Sequence, residues 1–335
     1  ILLGGRKMKK FYTLLLIIIL ILGLSSSVLA KEKITLYTSV PQSIIDNIKK
    51  DFEQKNPDID LEIYRSGTSK VLAKLYAEKE SNNIVVDVIW VADFSIYENL
   101  KAENLLYPYL SPEAVNVPKI YYEPEGYYYG ARLINMVLGY NTKFIKGDDI
   151  PDSWKDLLDP RFINKVGSST PERSGAFFVT AGAFASNPDL GWDYFVEFAK
   201  QNPTQDSNTG IAKKIASGEL LMGFVLDYKI RDMKEKGSPI DFVWPVEGAV
   251  MVPSPIGIIA STKNLESAKR FVDYSISKDG QQEFTRNGFI PIRKDVSPPA
   301  GTPDLGDIKL MKTDWQWLRD NYSEIIQKFN EIFVK

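Results

Sequence analysis

Cysteine and histidine are both missing from this 335-residue chain. Without cysteine there is no disulfide framework, no thiolate nucleophile and no zinc ribbon. Without histidine there is no Ser-His-Asp triad, no Cys-His dyad and no imidazole metal site. Any chemistry must come from carboxylates, phenols, amines, guanidinium groups, hydroxyls or the backbone. The chain also lacks a charge excess: 41 Lys and Arg stand against 43 Asp and Glu. That balance argues against a nucleic-acid binder, which shows a basic surplus. What is present reads as globular, with 44% apolar or aromatic and 25% charged residues. A chain of this length buries most of its unfolded surface and divides into two domains or lobes.

The first thirty residues read as an address. Phe11 to Leu24 is a nearly unbroken apolar run, preceded by Lys9 and Lys10 and followed by Ser25-Ser26-Ser27 and Val28-Leu29-Ala30. A basic start, a short apolar run and a small-residue site make a secretory signal, and the run is short for a membrane span of about 20 residues. Cleavage is expected after Ala30. Met8 reads as the start, with residues 1–7 an upstream extension. Losing Arg6, Lys7, Lys9 and Lys10 leaves 37 basic residues against 43 acidic, a charge of −6. With no cysteine to carry a lipid, the exported chain is expected to be soluble and periplasmic.

Beyond the signal, strand and helix patterns alternate. Ile34–Tyr37 reads as a strand; Ile44, Ile45, Ile48 and Phe52 repeat at helical spacing until Asn56-Pro57. Leu61–Tyr64 alternates as a second strand, Val71, Leu72 and Leu75 line a second helix, and Ile84–Val91 reads as a strand buried on both faces. Strand-helix-strand-helix-strand predicts an α/β lobe with a parallel sheet. Further on, Tyr127–Tyr140 and Leu220–Leu226 are strand-like. Helices are expected from Ser174-Gly175, over Trp192–Ala199 and Ile211–Ala216, and over Leu265–Ser277 and Trp315–Phe333. Ser297–Pro303 is a polar, Pro-rich connector.

Several segments together resemble the extracellular solute-binding proteins of ABC importers, nearest to their ferric-iron-binding branch. They are Tyr37-Thr38-Ser39, Trp154-Lys155-Asp156-Leu157-Leu158-Asp159-Pro160, Ser174-Gly175-Ala176-Phe177, Asn208-Thr209-Gly210, Asp227-Tyr228, Phe271-Val272-Asp273-Tyr274 with Ser277-Lys278-Asp279-Gly280-Gln281, and Gly288–Arg293. Each is weak alone; their order and spacing carry the signal. The resemblance implies a two-lobed α/β periplasmic binding protein fold of type II, with a ligand cleft between lobes joined by two crossing strands. Residues 31–138 and about 250–300 would form lobe 1, and 139–249 with about 301–335 lobe 2. It also implies a partner, an inner-membrane ABC permease, for a monomeric receptor that is not an enzyme.

Iron binders of this kind hold the metal through a His or Tyr, a Glu and a Tyr-Tyr pair, oxygen donors that suit a hard cation. Here the early position falls at Pro41 and the Glu position near Ala92, with Asp93 beside it. The pair reads Tyr228-Lys229. A lysine where a phenolate belongs argues against iron unless Tyr37, Asp93 or one of Tyr127–Tyr129 substitutes. No metal is favoured, and no cofactor is called for.

What remains suits an anion. Ser66-Gly67-Thr68-Ser69 and Ser174-Gly175 each precede a helix, and helix N-termini offer unpaired N–H groups and partial positive charge. Ser39, Thr68, Ser174 and Thr209 add hydroxyl donors; Lys229, Arg132 or Arg173 supplies charge. The candidate ligand-binding residues are therefore Ser39, Gly67, Thr68, Asp93, Ser174, Gly175, Thr209, Tyr228 and Lys229, for a phosphate ester, phosphonate or carboxylate. Plain helix capping also explains the serines taken singly. Asp227 reads equally as a contact for a ligand amine or a turn cap, and the tyrosines at 121, 122 and 127–129 as a packed strand. Ferric iron through Tyr228 and Tyr37, and thiamine or its phosphate, are the alternative cargoes. A carboxylate-pair hydrolase is the non-receptor alternative, but no paired-carboxylate motif stands out.

Overall fold

Ile44, Ile45, Ile48 and Phe52 fall on one stripe of helix α1 (Gln42–Lys55), and burying that stripe against strands β1 (Glu32–Thr38) and β2 (Ile59–Arg65) starts the first layer of the molecule. The computed structural model describes residues 31–303 and 306–333. The expected signal, with Met8 and the cleavage after Ala30, lies outside the described residues.

Helix α2 (Thr68–Glu80), strand β3 (Val88–Trp90) and helix α3 (Phe94–Ala102) follow. The apolar run 84–91 yields only three strand residues. The Asp87 carboxylate accepts from the Thr35 N–H (2.7 Å) and the Thr262 hydroxyl (2.5 Å), taking the place of a ladder bond. After β4 (Leu106–Tyr107) the chain enters β5 (Tyr129–Asn141), thirteen residues buried throughout. Then come β6 (Val166–Ser168), α4 (Gly175–Ala185), α5 (Gly191–Lys200), β7 (Thr204–Gln205), α6 (Asn208–Ser217), β8 (Met222–Leu226), α7 (Asp227–Glu235), β9 (Ile240–Val243) and β10 (Val250–Ile259). Helices α8 (Leu265–Ile276), α9 (Lys278–Arg286), α10 (Trp315–Asp320) and α11 (Tyr322–Phe333) complete the chain.

The strands form one sheet in the order β2-β1-β3-β10-β5-β8-β6-β7, with β4 beside β10 and β9 beside β5. Strands β1 to β3 are mutually parallel, as are β6 to β8. Between these parallel halves β5 and β10 lie antiparallel to each other and to their outer neighbours. They are the two crossing strands of a two-lobed, type II α/β fold.

Strand β10 departs from the expected pattern. It carries Pro253 and Pro255 in a central position, where proline removes ladder donors, and its register shifts between Ser254 and Pro255. The predicted C-terminal helix is two helices, interrupted at Asn321. Helix α10 packs on α3, with Trp315 5.3 Å from Phe94, whereas α11 packs on α4 and α5, with Phe329 against Phe177 and Phe195. Helix α4 is apolar all round and almost wholly buried, as a helix without a polar face must be.

Two of the motifs that carried the resemblance are structural. In the Trp154 segment Ser153 and Asp156 form a capping box, and the indole donates to the Gly248 carbonyl (2.9 Å). Gln281 donates to the carbonyls of Ala131 (2.5 Å) and Ser275 (2.7 Å) and accepts from Ile292 N–H (2.9 Å), pinning α9 to β5.

Asp227 resolves in the same direction. Its carboxylate accepts from the backbone and side-chain N–H groups of Asn135 and from Arg231, each at 3.0 Å, and it is buried. It clamps the start of α7 to the middle of β5. Replacing it with alanine strands Arg231 and Asn135. Asp227→Ala is expected to cost about 3–5 kcal/mol in urea unfolding, with secondary structure retained at low denaturant. A loss below about 1 kcal/mol would put the clamp's weight elsewhere.

Candidate functional site

A cleft of about 560 Å³ opens between the lobes, at the C-terminal ends of the parallel strands where α/β sheets hold ligands. Lobe 1 contributes Ser39 after β1, Arg65 at the end of β2, and Gly67 and Thr68 at the start of α2. Lobe 2 contributes Ser174 and Gly175 at the start of α4, Asn208 and Thr209 at the start of α6, and Tyr228 at the start of α7. Arg132 of β5 forms part of the floor.

The N-termini of four helices, α2, α4, α6 and α7, therefore line one space. The α2 terminus is capped by no side chain, because Gly67 holds the N-cap position. Its first N–H groups remain for another acceptor. Ser174 caps α4, accepting from Phe177 N–H (3.2 Å), and it also accepts from the Asn208 amide (2.8 Å). Both lone pairs of its hydroxyl are then filled, so its one proton is left to donate. Asn208 Oδ1 is buried and has no hydrogen-bond partner among the described residues.

The floor is more unusual. Arg132 is 2% exposed, and its Nε and Nη1 have no hydrogen-bond partner among the described residues. Its guanidinium lies over the Phe289 ring at 4.3 Å and faces Trp90 and Tyr228 at 5.4 and 5.9 Å. Burial lowers its pKa to about 10. A buried arginine with two nitrogens left without acceptors is costly, and an anion is the partner that relieves it. Arg65 donates Nε to the Val40 carbonyl (3.1 Å). With Lys70 and Arg173 it brings the lining to four cations against one carboxylate, Glu172.

The lobes touch across this space. The Ser69 hydroxyl donates to the Glu172 carbonyl, and Gly67 lies so close to Arg173 that a Cβ would sit 3.2 Å from its carbonyl oxygen. The backbone of Gly175 rests directly on the Ala92-Asp93 peptide. This is a closed arrangement.

Of the nine nominated residues, Ser39, Gly67, Thr68, Ser174, Gly175, Thr209 and Tyr228 line the cleft. Asp93 and Lys229 do not. Asp93 is fully buried as the N-cap of α3, accepting from the N–H (3.0 Å) and hydroxyl (2.6 Å) of Ser95. Lys229 is turned aside, its ammonium 5.8 Å from the Tyr228 ring centre, with its pKa lowered by burial. Tyr37 also stays out: its hydroxyl donates to Glu78 (2.5 Å) and its pKa is raised to about 12, by burial first and then by that carboxylate. Burial likewise raises the pKa of Tyr228, against the pull of Arg132. No group of three or more acidic side chains that could hold a metal occurs among the described residues. The tyrosines at 121, 128 and 129 are packed in the core, as expected.

Arg65 and Asn208 were not nominated from sequence. Arg65 ends a parallel strand directly before a glycine-containing helix start, a position that itself signals a ligand. Asn208 stands beside Thr209 in a recognised motif, but its role depends on Ser174, thirty-four residues away.

Residues 83–321 match the family model for bacterial extracellular solute-binding proteins. The chain belongs to that family. A putative 2-aminoethylphosphonate-binding periplasmic protein of Salmonella typhimurium is 26% identical to this solute-binding protein, covering 80% of this chain and 82% of that one. Among solved structures, the periplasmic binding protein AfuA of Actinobacillus pleuropneumoniae, with exogenous fructose 6-phosphate bound, superposes with a TM-score of 0.83. It is 25% identical and covers 90% of this chain and 99% of its own. Iron-bound HitA of Pseudomonas aeruginosa gives 0.79 at 22% identity, over 90% of this chain and 100% of its own. The solute-binding protein thus has the fold and family of ABC-transporter receptors, whose members deliver small ligands to permeases.

Proposed function

We propose that this protein is a periplasmic receptor that captures a small phosphate ester or phosphonate and delivers it, as a monomer, to an inner-membrane ABC permease. The observation that carries this reading is Arg132, buried at the cleft floor with two nitrogens unpartnered among the described residues, beneath four helix N-termini that line the cleft. The forced donor Ser174 favours an acceptor-only group such as a phosphoryl oxygen. Asn208 Oδ1 asks for a hydrogen-bond donor, which suits a body carrying hydroxyls or an amine. The putative 2-aminoethylphosphonate-binding relative and AfuA with its fructose 6-phosphate point the same way. Ferric iron fits less well: Tyr228 faces a guanidinium, and Tyr37 and Asp93 are committed elsewhere. Bare thiamine, a cation, meets four cationic side chains.

The test is a thermal-shift and calorimetry panel of fructose 6-phosphate, 2-aminoethylphosphonate, thiamine phosphate, thiamine and ferric citrate. A phosphorylated or phosphonate ligand at a hundred times its Kd is expected to stabilise the protein by about 2.7 kcal/mol, a rise of several degrees in Tm. Silence from all three phosphorus compounds, with a coloured tyrosinate complex on adding iron, would overturn the reading.

A further inference from the structure

Asp93 is fully buried. Its Oδ1 takes both bonds from Ser95, while its Oδ2 is buried with no hydrogen-bond partner among the described residues. The other lobe reaches it at the first residue of α4, Gly175, which lies so close that a Cβ there would be 3.1 Å from the Asp93 Cβ. The titratable groups whose fields reach it are Tyr97 of its own helix α3 and Tyr322 of α11, both neutral phenols with raised pKa values. Arg132 and Arg173 line the cleft beyond Ala92, and neither forms an ion pair with it among the described residues. The carboxylate is thus buried beside the start of α4 and has no countercharge among the described residues.

We propose that Asp93 couples lobe closure to proton uptake, so that acid favours the closed, ligand-holding form. When the lobes part, α4 leaves and water reaches the carboxylate, which then ionises in the ordinary range near pH 4. When they close, the buried acid must be neutral or bear the cost of an unsolvated charge. Burial raises its pKa to about 7 in the closed form. The closed state is therefore the one that binds the extra proton. The ratio of closed to open protein stays level above about pH 7. It rises as pH falls from there toward pH 5, by up to about tenfold per unit.

This rests on the receptor reading only in that the lobes open and close; it requires no particular ligand. The chain has no cysteine, so Glu80→Cys and Lys213→Cys give two unique labelling sites on opposite lobes. Spin-label distances between them, measured on the unliganded full-length protein from pH 8 to pH 5, read the closed fraction directly. The expected result is a shift toward the shorter distance as pH falls in the parent protein. In Asp93→Asn, which keeps an acceptor oxygen but no charge, the distances are expected to be short at every pH. Asp93→Ser, which also keeps the cap, should likewise lose the pH response. A parent protein with no pH response overturns the proposal, and so does Asp93→Asn with the parent's response. A failed ligand panel leaves these outcomes readable, which separates the two ideas.

Discussion

Replacing Arg132 with methionine is expected to weaken binding of a phosphate ester by at least about a hundredfold while leaving the unliganded protein as stable as before, or more so. The two halves of this expectation have one cause. In the unliganded protein Arg132 is a buried charge with Nε and Nη1 unpartnered among the described residues, and burial, outweighing the pull of Tyr228 and Asp227, lowers its pKa to about 10. Exchanging a poorly compensated buried ion for an apolar side chain of similar length is neutral or stabilising, by about 1–4 kcal/mol where it has been applied to ion pairs. The contacts over Phe289, Trp90 and Tyr228 offset part of that gain, at about 0.5–2 kcal/mol. With ligand the sign reverses. Removing one partner of a buried, hydrogen-bonded charge pair costs about 2–5 kcal/mol, which is where the hundredfold loss comes from. Arg132→Lys keeps the charge but not the planar fork, and should recover only part of the affinity. Calorimetry and denaturant unfolding on the same samples check both halves. A variant that is destabilised and binds normally would make Arg132 a core residue with no role in the site.

The unequal legibility of this molecule in its sequence has physical reasons. Short-range periodicity was enough for α1, where four apolar residues share a stripe, and for α4, where glycine and apolar residues follow a serine cap. It was not enough for β10. Two prolines interrupt that strand, and the register shift between Ser254 and Pro255 accommodates them in its central place between β3 and β5. The break at Asn321 is invisible to periodicity because both flanking helices are amphipathic; packing splits them, drawing α10 to α3 and α11 to α4. The helix starts at Gly67 and Ser174 could be read as anion sites because N-terminal N–H groups act locally. The choice of Arg132 over Lys229 could not be read. Both lie within reach of Tyr228, and only the tertiary fold leaves one facing the cleft and turns the other aside. Asp93 shows the same limit. Its sequence position beside Ala92 suggested a ligand contact, whereas its carboxylate faces Ser95 of its own helix and the covering backbone of α4.

Gly175→Ala is expected to abolish high-affinity binding without unfolding the protein. A Cβ at this position would lie 2.1 Å from the Ala92 carbonyl oxygen, 3.0 Å from its carbon and 3.1 Å from the Asp93 Cβ. The first two obstacles are backbone, so no rotamer change relieves them. The start of α4 must withdraw from the end of β3. Withdrawal breaks the bond from Ser69 to the Glu172 carbonyl at the cleft mouth and takes the α4 N-terminus away from the anion. The open form does not suffer, because Gly175 holds no left-handed φ that an alanine would strain. A ligand shifts a two-state equilibrium only by its differential affinity for the closed form, so a variant barred from that form retains one-lobe binding alone. A loss of at least about a hundredfold in Kd is expected, with an unchanged or slightly higher Tm without ligand and no compaction in small-angle scattering when ligand is added. Gly67→Ala provides a graded comparison: its Cβ would meet the Arg173 carbonyl oxygen at 3.2 Å, a contact that a shift of a few tenths of an ångström relieves, so a loss of only a few-fold is expected. If Gly175→Ala instead lowers the Tm of the unliganded protein, the contact between α4 and the Ala92-Asp93 peptide belongs to the open form as well. The hinge must then lie farther along β5 and β10, beyond the point where those strands leave the first lobe.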